Sequence, residues 1–320
     1  MWTYRLLVPH HKYPAWKLQS TRGIAYHSHL YTKVLGGDES DKFERWLASD
    51  FEAPALKPFE KAIADAPLSL EDWSCLIKFI AAQDVRTPAR LEQQMKRWQK
   101  ELPQLMAETL KEGSAEYDRL KKTGKPIPKV VPDYSKDCPI DVSIVDALPG
   151  ELGKRIKAEV TIGRGFWLWN MRLLLEKTIR VLHQHRWTVL VSPKDVLWPT
   201  SDDPVVRLNF RSISDFDFEG GWGSVGSEIF LPIGPRHLLY TEIGQRSPFY
   251  KGKLSRDQAS LIKRLLIEHG HRMLFASQPD SDVSLFRPRT EDAVLCEKEK
   301  VYWARWHEEQ AKEEAKAPRG

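Results

Sequence analysis

The chain has 320 residues, 41% of them hydrophobic and 29% charged, with a formal net charge of +5 at pH 7. That is enough apolar material for a sizeable core, in one large domain or two, so disorder throughout is excluded. The small basic surplus is compatible with RNA or DNA as a partner without requiring it, and the three cysteines, Cys75, Cys138 and Cys296, lack the spacing of a disulfide framework or a cysteine zinc site.

In chain order, the opening Met1–His11 lacks the apolar core of a signal peptide, and no apolar run approaches the roughly 20 residues that span a bilayer. No membrane partner is expected, and the cytoplasm is the expected compartment. His10 and His11, ahead of Pro14, stand in a non-helical segment where two imidazoles could enter a cleft as acid/base or phosphate-binding groups, or simply bond to backbone. Residues 43–64 read as one or two helices around Pro54 and Pro58. Ser69, with Glu71 and Asp72 behind it, predicts the N-terminus of a helix carrying Trp73, Leu76, Ile77 and Ile80 on one face. Counting on by three from Ile80 brings Gln83 onto or beside that face, and by three more Arg86 near it.

Thr87-Pro88 interrupts or restarts the helix, because Thr can cap and Pro suits the first helical position, so a second helix is expected from Pro88 to about Lys111. Residues 113–139 are rich in Lys, Gly and Pro and read as a connector. Beyond it, Phe166–His185 predicts a heavily buried helix, and 187–191, 204–210, 228–231 and 237–243 read as short strands, the last two joined tightly through Pro232–Arg236. Ser255–His271 predicts a capped helix stopped around Gly270, and the tail from Glu297 is charged, helix-prone and expected to fray at its end. The expected fold is α+β, with a mostly helical N-terminal half and a small antiparallel sheet with flanking helices in the C-terminal half. The expected division is 1–112 helical, 113–139 connector, 140–296 α+β and 297–320 tail.

Three His-x-His pairs, His27/His29, His183/His185 and His269/His271, invite a metal reading. Two of them lie at predicted helix C-termini, where the dipole favours His without any ligand role. In Thr200-Ser201-Asp202-Asp203-Pro204 two hydroxyls and two carboxylates share a proline-ended turn, which could bind a divalent cation or anchor a general base, and equally spells an ordinary Asx turn. Gly220–Gly226 ahead of Glu228 matches no nucleotide-binding glycine spacing and reads as a loop beside Trp222.

Several of these stretches, taken together and in order, resemble the DUF-4238 family of bacterial proteins. They are His10-His11 with Pro14, Gln83, Arg86, Thr87 and Pro88, Trp187 followed by Thr200–Val205, and Glu228–Pro235. The likeness is nearly full length, although here Val8-Pro9 precedes His10. It implies a bacterial setting and single-gene defence against phage.

Together with the defence role that the resemblance implies, the polar set leads to the expectation of a cytosolic antiviral effector acting on nucleic acid, a metal-assisted nuclease with Mg or Mn as the metal. Asp202 would be base or metal ligand and Arg86 would stabilise phosphate charge. His11 and Glu228 complete the expected catalytic set, and His10, Gln83, Ser201 and Asp203 would bind substrate. The alternative is a non-catalytic sensor or binding protein in which Gln83, Arg86 and Asp202 belong to a buried polar network joining the two halves. An enzyme acting on a small metabolite is a third possibility and would require a closed pocket.

Overall fold

The computed structural model describes residues 1–21, 24, 27–35, 38–124, 140–146, 154–244 and 253–316. Helix α1 (Lys42–Leu47) runs through a π-helical turn and a 3-10 turn into α2 (Leu56–Ile63), the two helices expected around Pro54 and Pro58. Helix α3 (Leu70–Val85) starts where the capping signal placed it. Ser69 Oγ accepts from the backbone N–H of Asp72 at 3.1 Å, and the Asp72 carboxylate accepts from the backbone N–H of Ser69 at 2.8 Å. Replacing Ser69 by alanine removes a reciprocal cap, with an expected loss of about 1 kcal/mol in urea unfolding.

Helix α4 (Pro88–Thr123) runs well past the expected end at Lys111. Residues 99–121 are dominated by Gln, Glu, Lys, Leu, Met and Ala, and the helix they favour carries both Pro103 and Gly113 in its interior. Gly124, at φ +65, terminates the helix in the left-handed conformation that glycine adopts freely. The rest of the expected connector, 125–139, lies outside the described residues. Helices α5 (Arg164–Leu173) and α6 (Arg180–His183), joined by a π-helical turn, make the expected buried helix, followed by α7 (Arg256–His269), α8 (Ser281–Phe286) and α9 (Ala293–Lys316). The helix-prone tail forms α9 and is docked on the fold: Trp306 is buried in the main core and Glu314 pairs with the fully buried Arg164. The end expected to fray, 317–320, lies outside the described residues.

The fold is α+β, and its short strands are almost all antiparallel. In the N-terminal part lie β1 (Trp2–Arg5), β2 (Leu7–Val8), β3 (Trp16–Leu18), β4 (Lys33–Leu35) and β5 (Asp38–Ser40). Then follow the β6 (Ile140–Asp146) and β7 (Lys154–Val160) hairpin, β8 (Thr188–Val191), β9 (Thr200–Ser201), β10 (Val206–Ser212) and β11 (Asp215–Asp217). The last are β12 (Ser227–Pro232), β13 (His237–Glu242), β14 (Met273–Ala276) and β15 (Thr290–Glu291). A five-stranded sheet has the order β11-β10-β12-β13-β8, and a four-stranded sheet the order β3-β1-β14-β9.

Strand alternation gives the five-stranded sheet two apolar faces. Ile229, Leu231 and Leu239 join the core that includes Ile77 and Ile80 of α3 and Trp167 of α5. Val206, Leu208, Phe230, Leu238 and Tyr240 point the other way, onto Ala259, Leu265 and Leu266 of α7. Ile267 of α7 packs with Tyr4 and Leu274 of the four-stranded sheet. Helix α7 is therefore held between the two sheets.

Candidate functional site

The Thr200–Pro204 turn is the connection by which the chain leaves the four-stranded sheet at β9 and enters the five-stranded sheet at β10. Ser201 and Asp203 are buried, and Asp202 between them points elsewhere. Ser201 Oγ donates to the Asp203 carbonyl at 2.7 Å and accepts from the Asp203 backbone N–H at 3.2 Å, the side-chain-to-backbone closure of a polar turn. The Asp202 backbone N–H donates to the Met273 carbonyl, and its carboxylate accepts from the backbone N–H groups of His271 and Arg272 at 3.0 to 3.2 Å.

Behind the turn lies a buried network of matched charge. Asp84, Arg90 and Asp203 are 2%, 5% and 5% exposed. Asp84 Oδ2 accepts from Trp222 Nε1 at 2.7 Å, and its Oδ1 stands 3.2 Å from Arg90 Nη2 and 3.5 Å from Arg207 Nε. Asp203 Oδ1 accepts from Thr87 Oγ1 at 2.8 Å and lies 3.7 Å from Arg90 Nε. Thr87 in turn caps α4, accepting from the backbone N–H of Arg90, so the Asp203 carboxylate sits at the positive end of that helix. His269 at the end of α7 closes the group: its Nδ1 lies 3.0 Å from the Asp203 carbonyl, which can only accept, so Nδ1 carries the proton. Burial pulls His269 below its ordinary pKa, which keeps the ring neutral beside two carboxylates and two guanidinium groups.

The glycine-rich stretch is part of this wall. Trp222 is buried, and its carbonyl lies 2.7 Å from His185 Nε2. A side chain at Gly220 would stand 3.0 Å from the Arg207 carbonyl carbon, so β10 would have to yield by a few tenths of an ångström to admit one.

A half-buried rim lies on the Asp202 side. Arg272 Nη2 and Nε hold Glu299 of α9 at 2.5 and 2.9 Å, and His271 Nε2 stands 3.9 Å from Glu92 of α4. Burial pushes the Asp202 carboxyl up to about 6 and raises Glu92, while burial and then the Arg272 charge bring His271 down to about 4. Three perturbed groups around one arginine are what a site handling protons needs, although structural networks produce the same pattern.

Of the residues singled out by sequence, Ser201, Asp202 and Asp203 meet here with the α3–α4 junction. Arg86 faces away, paired with Glu52, and its carbonyl accepts from Tyr31 Oη at 2.6 Å. Gln83 is half-buried on α3. Glu228 lies on the sheet face opposite to Arg207, across from Leu208 and Glu242, raised by burial and hydrogen-bonded by Tyr240. His10 and His11 are exposed in a turn after β2. His269 and His271, weighed in sequence as a metal pair, part company here, His269 to Asp203 and His271 to Glu92. The residues that sequence reasoning missed are Asp84, Arg90 and Arg207 in the network and Glu92, Arg272 and Glu299 at the rim. Among the described residues, the group of His, Cys, Asp and Glu side chains close enough to share a metal is elsewhere, at His29, Glu39 and His307.

No described helix is long and apolar enough to cross a membrane. A family described as "Protein of unknown function (DUF4238)" has a model that matches residues 4–280. No curated protein and no solved structure matches.

Proposed function

The chain belongs to the DUF4238 family, and for this member we propose a non-catalytic binding or sensor role in antiviral defence, with the Asp84/Arg90/Asp203/Arg207 network as the joint that fixes helices to sheets. The observation that carries the reading is that the acidic groups of the turn are engaged within the fold. The Asp202 carboxylate is occupied by two backbone N–H groups, and Asp203 by Thr87 and Arg90. Those bonds give both carboxylates a structural task as acceptors and leave fewer lone pairs for a metal or a proton.

Purified chain incubated with RNA and with DNA, with and without Mg²⁺ or Mn²⁺, is expected to leave both intact. Metal-dependent cleavage that disappears in a folded Asp202→Asn variant would overturn the proposal. Arg86→Ala breaks only a partly exposed pair with Glu52, so it is expected to cost no more than about 1 kcal/mol in unfolding and to leave phage protection in cells unchanged.

The perturbed rim favours a second reading, an acid/base site built on Asp202, Glu92 and His271 beside Arg272. Under that reading Asp202→Asn stays folded and loses function; under the first it stays folded and keeps it.

A further inference from the structure

We propose that His29, Glu39 and His307 bind a zinc-type divalent transition metal ion, with water completing the coordination. The three side chains come from separate segments: the loop ahead of β4, strand β5 and helix α9. His307 Nε2 lies 2.7 Å from Glu39 Oε1 and His29 Nδ1 lies 3.9 Å from Glu39 Oε2, and one ligand atom from each residue falls within 4.8 Å of the other two. Tetrahedral zinc, with bonds of about 2.0 to 2.2 Å to nitrogen and oxygen, sets its ligand atoms roughly 3.3 Å apart, so small side-chain movements convert the present spacing into a coordination shell.

Two imidazoles and one carboxylate suit zinc and its first-row neighbours, whereas magnesium and calcium prefer oxygen alone. His29 and Glu39 are exposed, which leaves a position open to water.

Two further observations point the same way. His29 has φ +56, a left-handed conformation uncommon outside glycine, and its ring lies over that of His307, with centroids 4.4 Å apart. Both rings thus address one carboxylate, and a cation seated there would meet a nitrogen of each ring and an oxygen of Glu39. Arg164 stands behind the trio, fully buried, with its charge matched by Glu314 at 2.7 Å.

Arg164 also sets what binding requires. Its Nη1 is 2.9 Å from His307 Nδ1, and a guanidinium only donates, so without metal Nδ1 is the acceptor and Nε2 donates its proton to Glu39. When metal takes Nε2, the proton moves to Nδ1, and Arg164 gives up that contact while keeping the His29 carbonyl and both Glu314 oxygens. The ion would staple the β4–β5 hairpin to α9.

The test uses the full chain without an affinity tag, stripped of metal with a chelator, and titrated with Co²⁺ while visible d–d absorption is followed, before displacement by Zn²⁺. The expected result is one equivalent bound with a four-coordinate spectrum. Affinity should fall by more than roughly a hundredfold in Glu39→Gln and in His29→Ala, beyond what loss of a group that only orients a ligand brings. A His10→Ala/His11→Ala variant should bind like the parent. Both ligand positions are exposed, so the variants should keep the parent's circular dichroism, and Zn²⁺ should raise the melting temperature of the parent but not of Glu39→Gln. Absence of saturable one-equivalent binding, binding that survives both ligand substitutions, or binding that depends on His10 and His11 would overturn the assignment.

Discussion

Replacing Asp84 by alanine is expected to lower folding stability by about 3 to 5 kcal/mol, read as a lower midpoint in guanidinium unfolding, because it leaves the buried Arg90 and the half-buried Arg207 with one carboxylate fewer. The residue is 2% exposed and serves three elements at once, Arg90 on α4, Arg207 on β10 and the Trp222 indole. A loss of that size is a large share of the roughly 5 to 15 kcal/mol that holds a domain folded. The origin of the loss can be separated from simple packing. Removing Arg207 as well, in Asp84→Ala/Arg207→Ala, takes away one of the orphaned charges, so the double variant should lose less than the sum of the singles by about 1 to 3 kcal/mol. Strict additivity, or a single-variant loss under about 1 kcal/mol, would show that the arginines are stabilised by water instead, and would remove the joint from the account.

How much of this was legible in the sequence depended on whether local rules sufficed. The start of α3 was readable because a capping box is a contact between residues three apart. The partner residue inside the fold was missed by one position. Counting three on from Ile80 gives Gln83, whereas counting four from Ile80, or seven from Ile77, gives Asp84, and both spacings lie on a helical face. Only the position of β10 and Trp222 decides between them, and that is long-range information. The same holds at the turn, where Ser201 and Asp203 are buried and Asp202 is less so, but nothing local says which side is inward. Arg86 was drawn in by its neighbours in the motif, although at the C-terminal end of α3 it turns to Glu52. The docking of α9 was invisible because its charged residues look like a solvated tail until Arg164, more than 140 residues earlier, supplies their partner.

Asp202→Asn is expected to be more stable than the parent at pH 7.5 by about 1 to 3 kcal/mol, with the difference shrinking to under about 1 kcal/mol at pH 4. The sign follows from the direction of the shift. Burial raises the Asp202 carboxyl from about 3.8 to about 6 against the pull of the Arg272 backbone N–H, so the folded chain binds this proton more tightly than the unfolded chain. The stabilisation from that proton is complete below about pH 4 and is lost as the pH rises through about 6. A rise of that size corresponds to about 3 kcal/mol, and an asparagine, which is never charged, avoids that cost while its Oδ1 still accepts from the backbone N–H groups of His271 and Arg272. Glu92 and His271 titrate in the same rim, so the informative quantity is the parent-to-variant difference across pH, in which their contributions largely cancel. A gap that does not change between pH 4 and 7.5 would mean that Asp202 is solvated well enough to ionise freely, and the rim would lose its claim to be a perturbed site. A pH-dependent gap, with the folded variant scored for phage protection in cells, separates the two functional readings. Protection retained assigns Asp202 to the joint between the sheets; protection lost assigns it to chemistry with Glu92 and His271.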